Sequence, residues 1–140
     1  ENRSSILLKR VFKILKNKVK NKKICFLGVT FKANTDDMRD SSCLSMIPSL
    51  VKKGAIINYY DPTGEKKEFK KFKNVSFSAE INSAIKNKDL VIIHTEWNDF
   101  KSINYRKFSQ NKKMIIFDMR NIYSPSKMKE QKIKYFAIGC

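Results

Sequence analysis

Lys22-Lys23-Ile24-Cys25-Phe26-Leu27-Gly28-Val29-Thr30-Phe31-Lys32-Ala33-Asn34-Thr35-Asp36-Asp37-Met38-Arg39-Asp40-Ser41-Ser42 decides the fold. Ile24 to Leu27 form an apolar run closed by Gly28, the pattern of a buried parallel strand that delivers the chain to a loop at its carboxyl end. The loop is dense in chemistry: an aromatic (Phe31), a lysine (Lys32), an amide (Asn34), two adjacent carboxylates (Asp36, Asp37) and an arginine (Arg39). Ser41 and Ser42 then offer caps for a helix running through Cys43 to Lys53. Ligands of open α/β sheets sit where strands end and helices begin, so polar groups here are placed to meet one.

The same alternation recurs to either side. Leu7, Val11, Ile14, Leu15 and Val19 keep helical spacing within residues 4–20 and predict an amphipathic helix, with Asn21 to Lys23 as the turn into the first strand. Gly54 closes the next helix, and Ala55 to Tyr60 reads as a second buried strand that turns at Asp61-Pro62-Thr63-Gly64. A short helix within Glu65 to Lys73, a short strand at Val75 to Phe77 and a small helix at Ala79 to Lys86 lead to a third central strand, Asp89 to His94. Thr95 to Phe100 is then a loop, Asn104 to Gln110 a short helix, and Met114 to Phe117 a fourth central strand whose loop carries Asp118 to Tyr123. Ser126 to Gln131 is helical, and Lys134 to Ile138 is an edge strand. Parallel neighbours need crossover connections, so the fold class expected is α/β: a doubly wound, mostly parallel Rossmann-like sheet flanked by helices, with one core.

Of the 140 residues, 41% are hydrophobic, too many for a disordered tail, and no run approaches the roughly 20 apolar residues of a membrane span. The N-terminal segment is interrupted by lysines throughout and does not resemble a signal peptide. A soluble, cytoplasmic domain without a membrane partner is expected. Cys25, Cys43 and Cys140 show no CxxC spacing, and the lone His94 cannot complete a typical zinc site with them, so reduced thiols and no metal are expected. A net charge of +17 raises the question of nucleic acid, because basic surfaces gain affinity by releasing counterions from phosphates. Yet the lysines are spread over every surface-like segment, and no helix-turn-helix, zinc knuckle or RNP-type strand accompanies them. A solvated lysine surface with no nucleic-acid partner is the reading. The alternative from a different class is a stand-alone nucleotide- or nucleic-acid-binding module, which DNA binding with a steep salt slope would favour.

A dinucleotide fingerprint needs several glycines at the first strand-to-helix turn so that backbone can approach a pyrophosphate. Gly28 is alone, and bulky Phe31 and Lys32 stand where close approach would be required. The sheet should therefore not bind NAD in the Rossmann manner. Lys32 suits a sugar hydroxyl or phosphate oxygen and Phe31 an apolar wall; the plainer alternatives are a surface lysine and a core aromatic. Arg39 follows Asp36 and Asp37 closely enough for an internal ion pair to explain all three, although a guanidinium is also the preferred fork for phosphate or ribose oxygens. Arg120 lies past another strand end. His94 and Glu96 lack any nucleophile to serve, and the histidine reads as a core or edge residue; Trp97 and Phe100 read as packing the loop rather than stacking on a base, with a domain interface the alternative for Trp97.

Leu27 to Arg39 resembles the start of the C-terminal, nucleotide-sugar-binding domain of the UDP-glucose 6-dehydrogenases and their GDP-mannose and UDP-N-acetylmannosamine relatives. Tyr60-Asp61-Pro62, Thr95-Glu96-Trp97 with Phe100, and Phe117-Asp118-Met119-Arg120-Asn121-Ile122-Tyr123 agree in the same order. The resemblance covers about residues 22–140. It implies that residues 1–21 link to a catalytic region and that residues 22–140 form the nucleotide-sugar domain. It further implies that Phe31, Lys32 and Arg120 contact the UDP-sugar, and that Arg39 reaches NAD held mainly by an N-terminal domain. The implied reaction is oxidation of UDP-glucose to UDP-glucuronate with two NAD reduced, in a homodimer. No cysteine here occupies the family's nucleophile motif, so the chain is expected to carry no catalytic residue and to be inactive alone. Met119 stands where many members have glycine, a departure that bears on the shape of that loop.

Overall fold

The computed structural model describes residues 2–109 and 113–138. Its strands are β1 (Lys23–Leu27), β2 (Ile56–Tyr60), β3 (Val75–Phe77), β4 (Leu90–Ile93), β5 (Ile115–Asp118) and β6 (Lys134–Ala137). Among the described residues these form one sheet in the order β3-β2-β1-β4-β5-β6, and every neighbouring pair is parallel. The expected sheet was mostly parallel; the observed one is wholly so, with β6 joining as a parallel edge. The order reverses direction between β1 and β4, which places the topological switch point of a doubly wound sheet at their carboxyl ends.

The helices are α1 (Arg3–Ile14), α2 (Cys43–Lys52), α3 (Ile81–Ile85) and α4 (Pro125–Glu130). Short 3-10 turns at Lys67–Phe69, Asn98–Phe100 and Tyr105–Phe108 stand among the connections. The turn at Asn98–Phe100 lies where the sequence predicts a loop, and Gln110 of the helix predicted over 104–110 lies outside the described residues. Period-2 alternation along β1 sends Ile24 and Phe26 to one face, where they pack with Leu7 and Val11 of α1 and with Met46, Ile47 and Leu50 of α2. Cys25 and Leu27 point to the other face, among Ala84, Ile85, Phe100, Tyr105 and Met128.

The first helix stops at Ile14, earlier than the periodicity predicts. Lys16 and Asn17 take left-handed backbone conformations that end it, yet Leu15 and Val19 remain buried because the turn folds them back onto the same core. Apolar spacing alone does not register such a break. Asn2 caps α1 by accepting the Ser5 N–H at 2.9 Å. At α2 it is Ser41 that caps: its Oγ accepts from Cys43 N at 3.2 Å and donates to Val29 O at 2.5 Å. Ser42 makes no side-chain capping bond.

Cys25 and Cys43 are free and buried. Burial pushes the Cys25 thiol up to about 12 and the Cys43 thiol well above its ordinary range, so neither is a thiolate near neutral pH. Cys140 lies outside the described residues. Among the described residues no helix is long and apolar enough to cross a membrane.

Candidate functional site

The carboxyl ends of four strands lie level: Leu27 is in register with Tyr60 and with Ile93, and Ile93 with Asp118. The loops that follow β1, β4 and β5 therefore meet on one edge of the sheet. They enclose a crevice of about 660 Å³. Residues Phe31 to Asn34 line it from the first loop, Glu96 and Asn98 from the second, and Arg120 from the third. Arg3, in the first turn of α1, closes the wall.

Each loop is held by buried polar groups that the sequence motifs supply. The Asp61 carboxylate, only 2% exposed, accepts the Val29 N–H at 2.8 Å and through its other oxygen the Thr63 N–H at 2.9 Å. A bond from a buried carboxylate to a backbone N–H is of the stronger, charge-assisted kind. Thr95 Oγ1 donates to Thr30 O at 2.9 Å, and Thr30 Oγ1 to Lys32 O at 2.9 Å, so the backbone before and after Phe31 is tied to the β4 loop. Gly28 has φ +79°, and a Cβ there would lie 2.6 Å from Thr95 Cβ. The glycine thus permits both the turn and the close approach of the two loops.

The third loop hangs on Asp118, which is fully buried. Its oxygens accept from Arg120 N at 3.1 Å, from Tyr123 N at 3.1 Å and from the Tyr135 hydroxyl at 2.6 Å. Tyr123 in turn donates to Phe100 O and shares a 2.5 Å hydrogen bond with the Tyr105 hydroxyl. Met119 is buried with an ordinary negative φ, and the left-handed residue of the loop is Asn121. Met119 therefore sits in backbone that does not call for a glycine.

Arg120 is aimed by its own donors. Its Nε donates to His94 O at 2.9 Å and its Nη2 to Phe31 O at 3.4 Å, leaving the rest of its five N–H groups without a described partner. Burial, and next the nearby charge of Arg3, hold its pKa below the ordinary range, with Glu96 opposing. His94 is 1% exposed, with Nδ1 3.0 Å from Thr95 Oγ1 and Nε2 3.4 Å from Ser42 Oγ. Burial, Arg120 and Arg3 push its pKa down to about 3, so it is a neutral structural histidine. Trp97 and Phe100 are likewise buried in the second core.

Phe31, Lys32 and Arg120 are therefore brought together, and Phe31 is 46% exposed rather than a core aromatic. Arg39 is not with them. It projects near the carboxyl end of β2, in a separate groove with Thr63, Lys66 and Lys67. There it forms a fork with Asp37, Nε to Oδ1 at 3.0 Å and Nη2 to Oδ2 at 3.0 Å, which holds the Asp37 carboxyl below the usual range. Asp36, expected to share that role, takes no part in the fork. The first loop reaches α2 only at Cys43, with Ser41 already occupying the first helical N–H, so it offers no glycine-lined helix start to a dinucleotide.

Asn34 belongs to the loop whose polar groups are expected to meet a ligand, whereas Arg3, Glu96 and Asn98 are not among the expected lining residues. Glu96 and Asn98 could have been, since they immediately follow a predicted central strand. Arg3 could not: it sits on the polar face of a helix, and only packing brings that turn to the carboxyl edge.

Residues 25–125 match the family model described as UDP-glucose/GDP-mannose dehydrogenase family, UDP binding domain. UDP-glucose 6-dehydrogenase of Rickettsia bellii is 34% identical over 143 residues, covering 99% of this chain and 33% of that protein. The enzyme of the same name from Rhizobium meliloti is 31% identical over 140 residues, covering 99% of this chain and 32% of that protein. The chain thus spans about a third of the length of the curated relatives it matches. Among solved structures, an NDP-N-acetyl-D-galactosaminuronic acid dehydrogenase from Methanosarcina mazei superposes with a TM-score of 0.78 at 21% identity, over 97% of this chain and 28% of that one. A UDP-glucose dehydrogenase from Pyrobaculum islandicum superposes with a TM-score of 0.73 at 20% identity, over 95% of this chain and 28% of that one; likenesses at this identity speak for the fold. By sequence, motif order and architecture together, the chain belongs to the UDP-glucose/GDP-mannose dehydrogenase family.

Proposed function

We propose that this chain is the C-terminal domain of an NAD-dependent UDP-glucose 6-dehydrogenase and that it holds the UDP-sugar in the crevice at the β1/β4 switch point. The observation that carries the reading is the convergence of Phe31, Lys32 and Arg120, from two separate loops, on one carboxyl-edge crevice. Lys32 and Arg120 supply charge-assisted donors for a diphosphate, and Phe31 an apolar wall for base or sugar. The first loop lacks the close backbone approach that the pyrophosphate of NAD needs. The reading therefore assigns NAD to a separate domain, with Arg39 meeting it from the rim of the second groove. Among the described residues, buried, un-ionised Cys25 and Cys43 offer no nucleophile, which supports the reading that the chain alone is inactive. Free buried thiols also suit a reducing, cytoplasmic setting.

The test is calorimetric titration of UDP-glucose into the full-length enzyme at one fixed ionic strength. Lys32→Ala should lose affinity by about tenfold or more, since it removes a donor inside the site. A Lys70→Gln, Lys71→Gln, Lys73→Gln triple variant should change little, because charges outside the crevice are screened over about 8–10 Å. Equal losses would mean that the basic surface as a whole binds the diphosphate, and would revive a general polyanion-binding module.

The separation of Arg39 from the crevice gives a kinetic expectation. Arg39→Ala should mainly raise the KM for NAD and Arg120→Ala mainly that for UDP-glucose, each change worth roughly 1.5–3 kcal/mol. If both variants weaken the same ligand equally, the division of labour is wrong.

A further inference from the structure

Arg3 is far in sequence from the loops of the crevice, yet its side chain forms part of the same wall as Phe31, Lys32 and Arg120. Nothing within the described fold accounts for an arginine there. Its side chain makes no hydrogen bond or ion pair with another described residue, so it does not fasten α1 to the sheet. It occupies the first position of a helix, where the aligned peptide dipoles disfavour a positive charge, and the first turn contains no acidic residue to offset it. Its charge also bears on Arg120, whose own guanidinium is half-buried. Glu96, the carboxylate of this wall, forms no ion pair with either arginine among the described residues. Two guanidiniums held near one another without a bridging carboxylate repel, and an anion shared between them relieves that repulsion. The wall as a whole sets Arg3, Lys32 and Arg120 against Glu96 alone. That excess of positive charge complements the doubly negative diphosphate diester of a nucleotide sugar.

We propose that Arg3 is a third cationic ligand of the crevice and shares with Arg120 the diphosphate of the bound nucleotide sugar. This rests on the functional reading above. It makes α1 more than a connection: the helix carries one wall of the site, so a change in how α1 packs on the sheet changes affinity.

The experiment titrates UDP into the full-length protein and into Arg3→Gln, Arg3→Lys, Arg120→Gln and the Lys70, Lys71, Lys73→Gln triple variant at one ionic strength. Arg3 is exposed, so replacing it should leave the urea midpoint where it was. Arg3→Gln is expected to weaken UDP about tenfold, with Arg3→Lys recovering part of the loss and the triple variant staying within about twofold of the parent. An Arg3→Gln protein that binds UDP as tightly as the parent, while Arg120→Gln binds weakly, overturns the assignment of Arg3 and leaves the functional reading standing. A triple variant that loses as much as Arg3→Gln also overturns it, because the effect is then that of the general surface field. Failure of the parent protein to bind UDP at all overturns the functional reading and the role of Arg3 together.

Discussion

Acid should destabilise the parent protein more steeply than a His94→Gln variant, with the difference developing between about pH 6.5 and pH 3. His94 is buried beside two arginines, which keeps it neutral in the fold down to about pH 3, whereas the unfolded chain takes up the proton below about pH 6.5. Since the unfolded state binds more protons across that interval, stability rises with pH through it. The contribution is fully present above pH 6.5 and is lost as the pH falls towards the folded value. A depression of that size corresponds to something on the order of 4–5 kcal/mol, a large share of a typical domain's total stability. Glutamine retains hydrogen-bonding capacity near Thr95 and Ser42 but cannot gain a charge. It should therefore be less stable than the parent near neutrality and fall away less on acidification. Urea midpoints measured from about pH 7 down to about pH 4 give the comparison. Parallel pH slopes for the two proteins would show that His94 does not stay neutral in the fold. The site shares in this sensitivity, because the His94 carbonyl accepts the Nε–H that aims Arg120 into the crevice.

Much of the architecture is legible in the chain because local and global signals agree. The runs at Ile24 to Leu27 and Leu90 to His94 are buried on both faces of the sheet, and strands of that kind read as unbroken apolar segments, whereas the strand Ile56–Tyr60, expected to be buried, covers only one face and leaves Ile56 exposed. What the apolar pattern misplaces is the end of α1. Left-handed turns at Lys16 and Asn17 preserve the burial of Leu15 and Val19, so the apolar spacing continues past the point where the helix stops. Capping is a similar case. Ser41 and Ser42 are equally good caps by type, and only the contact of Ser41 with Val29 O, made once β1 and α2 pack, selects between them.

The site is legible where its residues follow strand ends and opaque where they do not. Phe31, Lys32 and Arg120 each stand just past an apolar run, so their meeting at one edge follows from a parallel sheet. The positions that make the meeting work stand in the motifs without showing their role: Asp61 and Asp118 read as loop acids, and only the fold shows them buried, accepting backbone N–H groups that fix the loops. The adjacent acids Asp36 and Asp37 read as equivalent supports for Arg39. Asp37 alone forms the fork, because the same residue also accepts the Arg39 backbone N–H at 2.9 Å and is thereby turned toward the guanidinium.

Replacement of Gly28 by alanine should destabilise the protein by roughly 3–5 kcal/mol, through strain and overpacking acting together. At φ +79° an alanine gives up about 1–2 kcal/mol relative to glycine, because its Cβ crowds the backbone in left-handed conformations. The larger part comes from Thr95. The added Cβ would stand 2.6 Å from Thr95 Cβ and 2.8 Å from Thr95 Oγ1, well inside the roughly 3.5–4.0 Å of an ordinary carbon contact. Thr95 cannot simply turn aside: its hydroxyl donates to Thr30 O and lies 3.0 Å from His94 Nδ1, so movement breaks the ties that hold the Phe31 loop against the β4 loop. UDP-glucose binding should therefore weaken along with stability, even though Gly28 is not among the residues lining the crevice. A second substitution separates the two causes. Thr95→Gly in the Gly28→Ala background removes the obstructing Cβ and leaves the backbone strain, so it should restore part of the loss caused by Gly28→Ala, whereas Thr95→Gly in the parent should only destabilise. Denaturant midpoints for the four proteins, compared at equal m-value, measure the coupling. A Gly28→Ala midpoint within about 1 kcal/mol of the parent would show that the two loops do not approach as closely as the packing of Gly28 on Thr95 requires.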